Sequence, residues 1–130
     1  MSTVTVKQVI AWLKIQAPGV SFFNSCIDKN LTECVGVYAR KNGPEQPKAI
    51  GGRSSYGIKA ITVLVHWATN SDTCECKALE LQELFRAAGS SETIGTTSGY
   101  FISLIDPVSV GTDSLGIFEY VFDVNFYYRK

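Results

Sequence analysis

The fold is decided by residues Gly57–Ala88, which read GIKAITVLVHWATNSDTCECKALELQELFRAA. The segment from Ile58 to Trp67 is rich in Ile, Val, Thr and Leu, the residues that suit a β-strand. Both of its alternating faces are mostly apolar, which is typical of a strand covered on both sides within a sheet. In a domain of this size, another subunit can supply the cover on one of those faces.

A helix follows this strand after a polar break. Asp72 and Glu75 have capping-box spacing, which predicts a helix start at Asp72. Gly89 supplies the helix stop. The apolar positions of one helical stripe are Cys74, Ala78, Leu81, Phe85 and Ala88. The decisive stretch is therefore one long strand, a short turn and one amphipathic helix.

The sequence before this unit predicts a first helix and a first strand. Thr5 begins a capping box, and Pro18-Gly19 ends the helix. Cys34–Ala39 is an apolar strand, in which Gly36 indicates a bulge or a close approach of another chain segment.

The sequence after Gly89 predicts two further strands. Ser90–Gly99 reads as a loop, Tyr100–Ile105 as a strand, Gly111–Gly116 as a turn and Ile117–Tyr128 as the last strand. The last strand has an aromatic and apolar row on one face, and its opposite face is expected to be exposed to solvent. These elements predict an α+β fold with a largely antiparallel, mixed sheet and two helices packed on one face. We expect a single domain over residues 1–130.

A long polar segment, Arg40–Arg53, reads RKNGPEQPKAIGGR and is rich in Pro, Gly and charge. Loops of this length in a compact domain are often functional. Two interpretations are open, a solvated hairpin excursion and an arm that orders against a neighbouring molecule.

Composition restricts the class of protein. The 130 residues carry 12 Lys+Arg and 12 Asp+Glu, a formal net charge of zero. This balance lacks the strongly basic footprint of nucleic-acid binding and is compatible with self-association. No apolar run is long enough to span a bilayer, and the N-terminal sequence lacks the layout of a secretion signal. We expect a cytoplasmic environment during synthesis.

Catalytic and metal-binding patterns are weak. The single histidine, His66, lies inside a strand, where a structural or interface role is expected. Cys74 and Cys76 face different directions on a helix, and the four cysteines lack paired ligand spacing, so ordinary reduced thiols are expected. GGRSSYG, residues 51–57, lacks the spacing of a phosphate loop. We expect no enzyme activity, catalytic residue, cofactor or metal. A small enzyme or anion-binding domain that uses GGRSSYG is the rival interpretation.

A family resemblance takes the interpretation further. It is carried by TVKQVIAWLK (5–14), VGVYAR (35–40), GGRSSYGIKAITVLVHWATNSDTCECKALELQELF (51–85) and FDVNFYYRK (122–130). With these segments the sequence resembles a family of phage minor capsid proteins related to the tail terminators of long-tailed phages. The resemblance implies a tail-terminator-like fold and a non-enzymatic assembly protein of the virion tail or neck, present in the host cytoplasm during assembly.

The resemblance also implies partners. Copies of the chain would form a homo-oligomeric ring, expected to be a hexamer, on the end of a finished tail tube. The ring would contact the tail-tube protein, stop polymerisation and offer a surface to the head–tail connector protein. DNA would pass through it without sequence-specific binding, and no membrane partner is expected. A head-completion or connector protein of the phage neck is the alternative.

Contacts with a neighbouring subunit or with the tube are expected from the polar loop and from Tyr56, three residues after it. Solvated loop charges are the alternative interpretation for its cations. The candidate residues are Arg40, Lys41, Lys48, Arg53 and Tyr56.

Overall fold

The computed structural model describes residues 4–28, 30–40, 56–89 and 91–129. Within them lie two helices and seven strands. Their order is α1 Val6–Gln16, β1 Phe22–Asn24, β2 Glu33–Ala39, β3 Tyr56–Trp67, α2 Ser71–Arg86, β4 Glu92–Ile94, β5 Thr97–Ile102, β6 Val108–Thr112 and β7 Phe118–Arg129.

The strands form one mixed sheet. Its order is β1-β2-β3-β7-β5-β4, and β6 pairs with β7 beside this path. β1 runs parallel to β2, whereas the other pairs are antiparallel. The predicted α+β class with a largely antiparallel, mixed sheet is confirmed.

The centre of the sheet is the long pairing of β3 with β7, which runs in register from Tyr56 opposite Arg129 to His66 opposite Glu119. One face of this pair forms the core beneath both helices, because alternate residues of each strand point to the same side. The buried residues that it contributes are Ile61, Val63, Val65, Tyr120, Phe122, Val124, Phe126 and Tyr128. The other side of the sheet is called the outer face below.

The first helix begins as predicted. The Thr5 hydroxyl accepts a hydrogen bond from the Gln8 backbone N–H at 3.3 Å, and the Gln8 side chain accepts one from the Thr5 N–H at 3.0 Å. This reciprocal capping satisfies two amides that the first helical turn leaves unpaired. Trp12 is one of the buried residues of α1, and its indole N–H donates to Glu92 at 3.3 Å. The helix is thereby tied to β4 as well as to the core.

The predicted start of the second helix is wrong. Asn70 is the N-cap, and its side-chain oxygen accepts a hydrogen bond from the Thr73 N–H at 3.0 Å. The helix therefore begins at Ser71, and the proposed box of Asp72 with Glu75 does not cap it. Asn70 has the extended backbone geometry of an N-cap, so its side-chain oxygen reaches a free amide of the first turn.

The predicted loop over residues 90–99 is also wrong. It contains β4 and the start of β5, joined by a tight hairpin in which Ile94 pairs with Thr97. Gly95, at φ +61°, supplies the left-handed turn conformation, and the Thr97 hydroxyl donates to the Ile94 carbonyl at 2.8 Å. A composition of Ser, Thr and Gly therefore reflects a compact hairpin in this segment.

Two further boundaries differ from the prediction. β5 ends at Ile102, so the strand expected over 100–105 is shorter. The turn expected over 111–116 begins later, since its first two residues belong to β6. β5 and β6 pair with successive parts of the same edge of β7. Residues 103–107 cross between them and leave the sheet.

Glycine is required where β5 meets β7. A Cβ at Gly99 would lie 2.0 Å from the Tyr127 carbonyl oxygen, which is backbone and cannot rotate away. We expect Gly99→Ala to lower the free energy of unfolding by about 1–3 kcal/mol, the usual range for overpacking. Guanidinium unfolding measures the change. Gly19→Ala is the matched control, because a Cβ there meets nothing within 4 Å. Equal unfolding midpoints for the two variants would contradict the expected clash.

Candidate assembly surface

The outer face of the sheet carries a groove of about 560 Å³. Strands β3, β5 and β7 form it together with the start of the 103–107 crossing. Its floor is polar and its rim is apolar, a combination that suits binding of another molecule. The lining residues are Arg40, Thr62, Ile102, Leu104, Ile105, Asp123, Asn125 and Tyr127.

Arg40 organises the floor of the groove. Its guanidinium donates to the Ile61 carbonyl at 3.3 Å and to the Asn125 side-chain oxygen, and it lies 3.6 Å from the Asp123 carboxylate. The Thr62 hydroxyl donates to the same carboxylate at 2.8 Å. These contacts place one cation and one anion side by side, so the floor has balanced charge.

The rim of the groove presents Leu104 and Ile105, which are 84% and 74% exposed. Their backbone is held from the helix side. Arg86 donates to the carbonyls of Ser103 at 2.8 Å and Leu104 at 3.3 Å, and Gln82 donates to the carbonyl of Ile105 at 2.8 Å. Two aliphatic side chains are thus directed into solvent by an anchored backbone.

A buried polar chain completes this anchorage. Gln82 is fully buried on α2 and donates to the Ser103 hydroxyl at 2.9 Å. Ser103 in turn donates to the Asp123 carbonyl on β7 at 2.7 Å. Arg86 also pairs with Asp106 at 3.4 Å. The crossing segment is therefore fixed to both α2 and the central strand.

β6 extends the exposed surface beyond the groove. All five of its residues are exposed, and Val108 lies opposite Val121 on the outer face. Among the residues that the structure describes, β6 pairs with β7 alone, so its second edge has no strand partner. Segment 104–115 carries five exposed large apolar residues, namely Leu104, Ile105, Val108, Val110 and Leu115. The first two, which border the groove, are called the apolar rim.

Two of the five predicted contact residues, Arg40 and Tyr56, lie in the part of the chain that the structure describes. Arg40 follows β2 and lies in the groove, and Tyr56 opens β3 opposite Arg129. Lys41, Lys48 and Arg53 lie outside the described residues. Their proposed contacts stay predictions.

Sequence reasoning missed the apolar rim. Leu104 and Ile105 were assigned to a strand, in which one of two neighbouring residues points inward. The available signal was the adjacent Asp106-Pro107, since a strand that ends before a proline turn often releases its last residues from the sheet. The hydrogen bonds from Gln82 and Arg86 have no local sequence signature.

His66 lies at the other end of the outer face and is fully buried. Its Nδ1 lies 3.0 Å from a Glu119 carboxylate oxygen, and its Nε2 lies 3.1 Å from the Leu31 carbonyl and 3.5 Å from an Asp113 carboxylate oxygen. Asp113 also accepts the backbone N–H of Ile117 at 3.0 Å. The imidazole therefore ties the turn after β6 to β7 and to the loop before β2.

The cysteines lie in contrasting environments. Cys74 is fully buried and its thiol donates to the carbonyls of Val65 at 3.4 Å and Phe118 at 3.3 Å, whereas Cys76 is exposed. Burial raises the pKa of Cys74 to about 11. Within the described ranges, no group of three or more His, Cys, Asp or Glu side chains is arranged to hold a metal ion.

Comparison with known proteins gives the class and then the family. A family model described as "Bacteriophage tail terminator protein" matches residues 9–129. The match makes this chain a structural protein of the phage tail. The chain belongs to the bacteriophage tail terminator family.

Other comparisons add little. None of the curated proteins matches the chain. One solved structure, whose title states no function, is similar over 95% of this chain and 87% of its own, with 16% identity and a TM-score of 0.48. In the part of the chain that the structure describes, neither helix is long and apolar enough to cross a bilayer.

The His66 contacts predict a large effect of substitution. His66→Ala removes the hydrogen-bond partner of the Glu119 carboxylate and of the Leu31 carbonyl, which should lower the free energy of unfolding by about 1–3 kcal/mol, as for buried polar groups left unpaired. Chemical denaturation at neutral pH measures it. Lys7→Ala is the control, since Lys7 is exposed on α1 and its substitution should change the free energy of unfolding by no more than about 0.5 kcal/mol. Similar losses in both variants would refute the structural role of His66.

The buried thiol predicts a loss of stability in alkali. The folded-state pKa of Cys74 is raised above its ordinary value of 9.0, so the folded protein holds this proton longer than the unfolded chain. The free energy of unfolding should therefore fall as pH rises from 9 toward 11. Denaturation series at several pH values measure the slope, which should be shallower in Cys74→Ala. An unchanged slope in that variant would show that other groups cause the loss.

Proposed function

We propose that this protein terminates the phage tail. Copies of the chain form a ring, a hexamer by expectation, on the end of a finished tail tube, stop further polymerisation and offer a joining surface to the head–tail connector protein. The observation that carries this proposal is the family match over residues 9–129.

The surface of the chain supports a role in assembly. A neutral chain has no long-range repulsion between copies. Five large apolar side chains are exposed within residues 104–115, and two of them, Leu104 and Ile105, are neighbours in sequence that border the groove. Adjoining exposed apolar side chains mark a binding site more often than scattered single residues do.

The polar loop is proposed to contact the tube end or the next subunit. The described end of the loop, Arg40, supports this. Arg40 donates its backbone N–H to the Ala60 carbonyl at 2.9 Å, and its guanidinium is fixed in the groove. This end of the loop is thus tied to the central strands. The proposed contacts by Lys41, Lys48, Arg53 and Tyr56 would then be made beside a residue, Arg40, that is held in place.

A ring arrests growth by occupying the surface that the next layer of tube protein would bind. Its affinity comes from several weak contacts made at once, because the first contact raises the effective concentration of the remaining ones. A single copy would bind and leave quickly, whereas the closed ring would stay. Release of the cap would then be slow without strong binding by any one subunit.

The decisive experiment adds the purified protein to polymerising tail-tube protein of the same phage and follows the tubes by electron microscopy. Tubes with a particle at one fixed end and arrested growth are expected. Unaffected growth with bare tips would contradict termination. Binding to head portals in that case would establish the alternative, a head-completion or connector protein of the neck.

Shortening the loop tests its role. We expect replacement of residues 42–52 by a short Gly-Ser linker to leave the melting temperature within a few degrees of that of the wild type, because loop length has a small thermodynamic cost. Capping of tubes should be lost. Unchanged capping would remove the loop from the proposed interface.

A charge variant refines this test. Lys41→Ala and Lys48→Ala are combined, and the matched control removes two exposed cations of α1 through Lys7→Ala and Lys14→Ala. Only the loop variant should cap more weakly. Equal weakening in both variants would indicate a general effect of net charge.

A further inference from the structure

We infer that Leu104 and Ile105 form a contact surface for a second copy of this chain. The two residues are adjacent in sequence, and both are among the most exposed large apolar residues described. This inference rests on the proposed function, since it names the surface through which copies associate in the ring.

The rim differs from ordinary exposed apolar residues in how it is held. Ile15 is 77% exposed on α1, but it is a single residue on a helix and needs no special support. Leu104 and Ile105 lie outside regular structure. Side chains of α2 donate hydrogen bonds to three successive backbone carbonyls, those of Ser103, Leu104 and Ile105. This support fixes their direction in advance.

Fixed apolar side chains are good anchors for association. Most of the binding energy of an interface comes from a few buried anchors, and a group that is already ordered loses little entropy on binding. The groove beside the pair adds room for side chains of a partner. Tyr127 of β7 lines this groove, and its ring stacks on that of Tyr100 at 5.4 Å between ring centroids.

The charges around the rim favour a second copy as the partner. Arg40 lies beside Asp123, and Arg86 lies beside Asp106, so among the described residues these two cations near the rim each have an anion within 4 Å. The described part of the surface therefore carries balanced charge. A neutral surface also meets its own copy without repulsion.

The exposed edge of β6 points the same way. Edge strands of soluble proteins are usually protected by charged residues, proline, short length or a bulge. β6, with the sequence VSVGT, has neither charge nor proline, although it is five residues long and its register shifts between Ser109 and Gly111. Within the described residues no strand pairs with its second edge, so the backbone at Val108 and Ser109 can pair with a strand of the neighbouring copy.

The test compares two variants of equal charge and similar exposure. Ile105→Asp places one charge on the rim, at a residue that is 74% exposed, whereas Ile15→Asp places one on α1, at a residue that is 77% exposed. Sedimentation velocity over a range of concentrations measures self-association, alone and on tail-tube ends, and thermal unfolding checks the fold. The rim variant should associate about 30-fold more weakly or worse, the size expected for loss of an interface hot spot. The control should stay within about 2-fold of the wild type.

A photo-crosslinker at position 104 identifies the partner directly. Crosslinks to a second copy of this chain, mapped by mass spectrometry, would establish the inference. Crosslinks to tail-tube protein alone, or wild-type-like association of the rim variant, would overturn it. So would a wild-type protein that associates neither in solution nor on tubes.

The two proposals fail separately. A rim variant that associates normally but does not cap tubes overturns the self-contact and leaves termination standing. A wild-type protein that associates through the rim but never caps tubes establishes the self-contact and overturns termination.

Discussion

The register between β3 and β7 is the constraint on which the rest of the structure depends. Side chains alternate along a strand, so a slip of one residue would exchange the core face for the outer face along the whole pair. In the observed register, Val63 and Phe122 point under the helices, while Thr62 and Asp123 meet on the outer face. One alignment therefore fixes both the hydrophobic core and the polar floor of the groove.

The second helix links these two sides. Its apolar stripe packs in the core, yet Gln82 and Arg86 near its C-terminal end hold the crossing segment that carries the rim. A helix packed against a close-packed core has little freedom to shift. The position of Leu104 and Ile105 is thus determined by core packing, and a substitution in the core can disturb the surface without touching it.

Local pattern predicted much of this fold. The apolar run of β3, the aromatic row of β7 and the cap at Thr5 all express rules that act within a few residues. β4 was missed because its three residues lie in a Ser-, Thr- and Gly-rich stretch, and β6 because all five of its residues are exposed and give no buried alternation. For the groove, loop charge indicated Arg40. Its partner Asn125 and the anchors of the rim come from contacts across the fold, which a single sequence does not reveal.

The late position of β7 in the chain has a consequence for truncated chains. β7 follows every other described strand, and it pairs with three of them. A chain that stops before β7 leaves the long edge of β3 without its partner strand and lacks Asp123 and Asn125 of the groove floor. The core face and the outer face of the sheet are therefore completed together, by the last described strand.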